Sequence, residues 1–311
     1  MKKTLSKVLA VIIAVMLIVS AMPVAFAADG DIANGTAGEG VTWVIDADGT
    51  LTISGEGEIV VDWYAPPWYD YNEYIINIVV EEGITKIPST AFCYAENLLT
   101  VSIPASVTNM SIGETPIFWA NCALQAINVH EDNPVFTSVD GIVFSKDKSM
   151  LCIYPMNKEG ESYTIPHSVT YINAGAFCFN ETLKSVTIPD TVNELGSQAF
   201  YDTKIESVTI GSGIKTIPTH CFSYGNDLES IVLPDSIETI ETNAFWTCGG
   251  LKNIKIGTGI KTIYENAFGN CYALSDINMP YSLETIGDHA FSRCYSLLNI
   301  EFGKGLKEIG T

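Results

Sequence analysis

From residue 177 onward the apolar positions keep one register. Counting from Phe245, aliphatic side chains follow at six, nine, eleven, fifteen and eighteen residues: Leu251, Ile254, Ile256, Ile260 and Ile263. Phe222 is followed in the same way by Leu228, Ile231, Leu233, Ile237 and Ile240. The alternation around Ile254 and Ile256 has a period of two, which predicts a short strand with every second side chain inside. A second extended piece, Ile260-Lys261-Thr262-Ile263, brings two more apolar groups inward, and the Ala-Phe segment then turns the chain on the opposite side. The phenylalanines Phe177, Phe200, Phe222, Phe245, Phe268 and Phe291 stand 23, 22, 23, 23 and 23 residues apart, five of them preceded by alanine. A coil of this length cannot bury its own apolar face, so each must be covered by a neighbour. The pattern predicts a mostly β solenoid of about 22–23-residue coils with short parallel strands. Function then belongs to an extended surface, and a pocket is not expected.

A second alternation lies over the first. Coils carrying Pro189, Pro234 and Pro280 alternate with coils carrying Gly211, Gly257 and Gly303 in the same place. The residue after the fifteenth-position aliphatic runs Lys215, Glu238, Lys261, Glu284, Lys307. Stacked strands lie roughly 5 Å apart, so alternating signs form a ladder where like charges would repel.

Upstream, residues 41–59 read as a β-hairpin around Asp46-Ala47-Asp48-Gly49. Asp-x-Asp-Gly has the look of a calcium loop, but the twelfth position is Gly57 and supplies no acid, so a turn is the better account. An aromatic segment follows, with Trp63, Tyr64, Trp68 and Tyr69. It serves either as a cover for the first coil or as a platform for sugar rings, and the cover is the favoured reading because a solenoid needs its first coil closed. Register breaks between about residues 111 and 161, where strands around Asp140-Gly141 and Lys146-Asp147-Lys148 predict a hairpin insertion. The predicted organisation is a signal peptide at 1–27, a flexible linker at 28–40, a hairpin and aromatic cap at 41–77, and the solenoid at 78–311.

The units Ile165-Pro-His-Ser-Val-Thr-Tyr-Ile172, Ala244-Phe-Trp-Thr-Cys-Gly-Gly-Leu251 and Asp140-Gly-Ile-Val-Phe-Ser-Lys-Asp147 resemble the BspA-type leucine-rich repeats of bacterial surface proteins. The hairpin and Trp-Tyr segment resemble what precedes such repeats in secreted proteins of Gram-positive bacteria. The resemblance implies a leucine-rich-repeat-like fold and a secreted or cell-surface binding protein, in some members an adhesin for host proteins, cells or glycans. It brings no catalytic residues with it. Departures are the coil at Tyr201-Asp202-Thr203, one residue short, and the irregular stretch 108–124.

Composition narrows the partners. Lys2, Lys3 and Lys7, the apolar run 8–19 and Ala25-Phe26-Ala27 form a secretory signal with cleavage after Ala27, and no later segment is apolar enough to span a bilayer. The formal net charge is −20, and removal of the signal takes three lysines with it, so a nucleic-acid footprint is absent. Three of the eight cysteines, Cys248, Cys271 and Cys294, share one phase; core filling is the simplest reading, and stacked disulfides remain the alternative. Metal-ligand spacing, nucleophile elbows and phosphate loops are missing, so no cofactor and no enzyme activity are expected. His220 and His289 share a phase but stand three coils apart, roughly 15 Å.

The strand alternation places an outward row at Ser185, Thr187, Ser207, Thr209, Ser230, Asn253, Lys255, Asp276, Asn278, Asn299 and Glu301. This row either contacts a partner or is ordinary solvated sheet. Two functions remain open: an adhesin-like binding module, or a passive scaffold whose active or anchoring module lies elsewhere. Leu306 to Thr311 repeat the phase of Leu283 to Asp288, so a further Ala-Phe is expected just beyond Thr311, implying a chain cut short.

Overall fold

The computed structural model describes residues 30–62, 65–111, 117–298 and 300–311. The chain is a mostly β solenoid of about 11 turns with almost no helix. Three ladders of hydrogen bonds run along it. One joins the Ser-x-Thr-type strands, with Ser162–Thr164, Ser185–Ile188 and Ser207–Ile210 parallel and in register, continued by Ser230–Val232, Asn253–Lys255 and Asp276–Ile277. A second joins the Thr-Ile pairs Thr216–Ile217, Thr239–Ile240, Thr262–Ile263 and Thr285–Ile286.

The third ladder lies along the Ala-Phe turns and is not a β-sheet. Asn243, Phe245 and Thr247 donate their N–H groups to the carbonyls of Glu265, Ala267 and Gly269 in the next coil, at 3.0, 2.8 and 2.8 Å. The residues two before and two after the phenylalanine have left-handed backbone: Asn243 (φ 59°) and Thr247 (62°), and likewise His220 (57°) and Tyr224 (63°). These left-handed residues stand four apart and bracket each phenylalanine, and the donors to the next coil come from every second residue between them. Asn and His tolerate this region better than most residues, which accounts for the shared phase of His220, Asn243, Asn266 and His289.

Inside, the phenylalanines stack as a spine. Ring centroids from Phe177 to Phe291 are 4.8–5.3 Å apart and within 15° of parallel. Tyr154 heads this run, 4.9 Å from Phe177. An earlier spine runs Trp68–Phe92–Phe118, at 6.0 and 5.7 Å. The core is correspondingly in two clusters that meet at the insertion. There Phe136–Val139, Ile142–Ser145 and Met150–Ile153 form an antiparallel meander, with Asp140 and Gly141 both at positive φ in the first turn, as a two-residue hairpin requires. Ile142, Phe144 and Leu151 belong to the C-terminal core, Val143 and Cys152 to the N-terminal one. The insertion is thus a buried splice between two stacks.

The Pro/Gly alternation has a steric cause. A Cβ on Gly257 would meet Pro234 O at 2.4 Å, and one on Gly211 would meet the backbone of Pro189 and Asp190 at 2.5 Å. The coils carrying Pro189, Pro234 and Pro280 therefore need glycine above them. Lys261 bonds Glu238 at 2.6 Å, Lys307 bonds Glu284 at 2.8 Å, and Lys215 approaches Glu238 at 3.9 Å, forming the alternating ladder.

One expectation is corrected. Residues read as a flexible linker carry strand β1 (Ala33–Thr36), which pairs antiparallel with β2 (Val41–Ile45). Its polar composition hid this, because the strand is held by backbone bonds and by the burial of Ala37 rather than by an apolar stripe. β2 pairs with β3 (Thr50–Gly55), and β3 runs parallel to Asn77–Val80, the first strand of the stack. In the β2–β3 turn, Asp46 Oδ1 accepts from the N–H groups of Asp48 and Thr50 at 3.0 and 2.9 Å. That is a turn-forming carboxylate. The signal segment with Ala27 lies outside the described residues.

Candidate binding surfaces

Strand pairing brings the outward row together. Ser185 faces Ser207, Thr187 faces Thr209, Ser230 faces Asn253, and Asn253 faces Asp276. Ser185 is half-buried; Thr187, Ser207, Thr209, Ser230, Asn253, Lys255, Asp276, Asn278 and Glu301 are exposed, and Asn299 lies outside the described residues. Asn278 is already occupied. Its Oδ1 accepts from Ile256 N–H and its Nδ2 donates to Ile256 O, both at 3.2 Å, replacing the strand pairing that stops at Ile277. Only one apolar side chain, Val232, interrupts this face between Ser185 and Asn278, and no aromatic ring does.

The aromatic segment, read first as a cover and only second as a platform, divides. Trp68 is 1% exposed and sits at the head of the spine, stacked on Phe92 and edge-on to Trp43 at 6.1 Å. Its indole N–H donates to Ala91 O at 3.1 Å, the carbonyl that in later coils receives the preceding phenylalanine's backbone N–H. A ring so enclosed offers no face to a sugar. Tyr69 is 44% exposed, yet its aromatic neighbour is Tyr94 of the next coil, 39% exposed, with centroids 6.5 Å apart. Trp63 and Tyr64 lie outside the described residues.

A larger aromatic surface occupies the turn edge. Trp119, Phe179, Tyr201, Tyr224 and Trp246 are half-buried and in unbroken ring contact, at 4.5, 5.7, 5.3 and 5.0 Å along the row. They come alternately from one and two residues after the spine aromatic. A strand would send such neighbours to opposite faces; the left-handed residue two after each spine aromatic turns the chain, and they lie along one edge. The sequence signal was an aromatic one or two residues after each of Phe118, Phe177, Phe200, Phe222 and Phe245, and its broken period concealed it. Phe179 (φ 57°) and Tyr224 (63°) hold left-handed backbone, where a bulky residue costs about 1–2 kcal/mol. Acidic groups flank the row: the charges of Glu181 and Glu96 add to burial in raising the exposed Cys122 thiol. Burial also raises Asp202, a direction that Glu181 reinforces and Lys204 opposes.

The other chemistry-bearing groups serve the core. Cys248, Cys271 and Cys294 point their Sγ atoms at the carbonyls of Phe222, Phe245 and Phe268 at 3.0, 3.2 and 3.2 Å. All eight cysteines are free thiols, and burial pushes Cys178 and Cys248 up to about 12. His220 is held below its ordinary value by burial. Ser223 Oγ donates to Asn243 O at 2.6 Å and lies 3.0 Å from His220 Nδ1. With its proton committed to that carbonyl, Ser223 has nothing to yield to the imidazole. Among the described residues no cluster of three or more His, Cys, Asp or Glu could hold a metal ion, and no helix is long and apolar enough to cross a membrane.

The family model described as the BspA type leucine rich repeat region matches residues 68–158, 154–274 and 215–311, in 6 copies. Among solved structures, a leucine-rich repeat protein from Eubacterium ventriosum is similar at 23% identity and a TM-score of 0.51, covering 86% of this chain and 96% of that one. A leucine rich cell surface protein from Faecalibacterium prausnitzii is 19% identical, with a TM-score of 0.46 over 88% and 96% of the two chains. The pneumococcal vaccine antigen PcpA is 17% identical, with a TM-score of 0.46 over 90% and 98%. At these identities the first likeness concerns the fold alone. No curated protein matches the chain.

Proposed function

Since the chain belongs to the BspA-type leucine-rich-repeat family, we propose that it is a secreted or cell-surface, non-enzymatic, adhesin-like protein that binds an extended macromolecular partner along its turn edge. The observation that carries this reading is the row from Trp119 to Trp246. Large aromatic rings supply most anchor energy in binding surfaces, and here five lie in contact, partly open to solvent, across successive coils. Two of them occupy backbone that an asparagine would fill at lower cost. The polar strand row from Thr187 to Asp276 carries no aromatic anchor and is ordinary solvated sheet in this reading. Export is supported by the basic start, the short apolar core and Ala25-Phe26-Ala27.

The test is a screen of residues 28–311 against glycan arrays and panels of host matrix and cell-surface proteins. Specific, saturable binding to at least one partner is expected. Silence across both panels would instead make the chain a passive scaffold.

A further inference from the structure

At the head of the turn edge lies an open cleft of about 390 Å³, within the usual range of ligand clefts. It is formed where the 3₁₀ helix Tyr69–Tyr74 meets the following coil, and its walls are Tyr69, Asp70, Glu73, Tyr94, Glu96 and Asn97. Asn97 Nδ2 donates to Glu73 O at 2.8 Å and Asn72 Nδ2 donates to Cys93 O at 3.1 Å, so the two walls are tied to each other. Both tyrosine rings are open to solvent. Tyr94 stands at φ 64°, a strained conformation for an aromatic residue that brings its ring beside Tyr69.

Charge identifies the occupant. Along the rest of the solenoid, eight of the twelve described lysines are paired with carboxylates, as in Lys86–Glu58, Lys158–Asp140, Lys184–Glu206 and Lys252–Glu229. Among the described residues no lysine or arginine pairs with Asp70, Glu73 or Glu96. These three acids do not converge on one point as metal ligands must. They line the same cleft as the two exposed tyrosine rings, Glu73 also accepting from the Tyr74 hydroxyl. A cleft of one sign concentrates the opposite charge, and aromatic faces attract a planar guanidinium or an ammonium within about 6 Å. Resting on the turn-edge reading above, and narrowing its partner to a polypeptide, we propose that this cleft receives an arginine or lysine side chain of the bound protein. A neutral sugar would leave three desolvated carboxylates without compensating charge.

The probe is N-acetyl-arginine methylamide, titrated into residues 28–311 carrying ¹³C-labelled tyrosine rings. Saturable shifts are expected at the Tyr69 and Tyr94 resonances, with a Kd in the millimolar range. Binding weakens at least fivefold between about 0.05 and 0.5 M salt, as screening demands, and at least fivefold in Glu96→Gln. The citrulline analogue is silent. Tyr94→Asn places a residue suited to left-handed backbone; it should lose binding at least tenfold while keeping or raising the melting temperature. Absence of saturable shifts at these two rings overturns the proposal, as do shifts produced by chitotetraose but not by arginine. A destabilised Tyr94→Asn overturns it as well, because the ring would then serve the fold. Any of these three failures would leave the turn-edge reading to its own variant, Trp246→Ala in partner binding, so the two proposals stand or fall separately.

Discussion

Single residues in this protein are governed by where the coil leaves room. Cysteine is the clearest case: Cys221, Cys248 and Cys271 are fully enclosed and their thiols are raised by burial, so they are unreactive hydrophobes. A thiol-specific reagent is expected to label only Cys122 rapidly in the native protein and all eight thiols after denaturation; fewer than eight would reveal disulfides. Acidic residues do the opposite, working at the surface. Glu82 accepts from Ala105 and Ser106 N–H, Asp190 from Ser212 N–H, and Asp235 from Thr258 N–H. These backbone donors hold each carboxyl below its ordinary value, and the Ser145 hydroxyl, with the N–H and hydroxyl of Ser149, brings Asp147 to about 2. A lowered folded-state pKa adds stability above the unfolded value and loses it as pH falls through the folded one. Melting temperature should therefore drop between about pH 4 and pH 2; a flat profile there would contradict these bonds. The shared phase of His220 and His289 was legible in the sequence, but its cause was not. It is a backbone requirement set by the third ladder.

Elements were readable where periodicity is strict. The Ser-x-Thr strands, the Thr-Ile pairs, the β2–β3 hairpin and the insertion around Asp140-Gly141 follow from period-two alternation and turn chemistry, and all are present. β1 was missed because no apolar stripe announces it. The Ala-Phe turn was seen as a turn, yet its ladder was not, since a turn bracketed by left-handed residues four apart has no hydrophobic period. Close approach between coils yields the next expectation. Ala for Gly commonly stabilises by restricting the unfolded chain, but Gly257 faces Pro234 backbone that cannot yield. Gly257→Ala should destabilise by roughly 1–3 kcal/mol in a denaturant melt, and an unchanged midpoint would mean that the coils are spaced more loosely than described.

The molecule as a whole is a rod whose interior is used up by its spine, leaving function to its edges. The strand face was legible in the sequence because alternation fixes which side chains point outward. The turn edge was not, because its five aromatics alternate between two repeat positions and converge only in three dimensions. Trp68 went against the platform alternative, as the favoured reading had it: the ring is enclosed between Trp43 and Phe92 and shows no open face. The most direct test compares two variants against whichever partner the panels identify. One is Tyr201→Ala with Trp246→Ala on the turn edge; the other is Thr187→Ala with Thr209→Ala on the strand face. Binding should fall at least tenfold in the first and change less than twofold in the second, with both remaining folded. Full binding by the turn-edge variant would contradict the account.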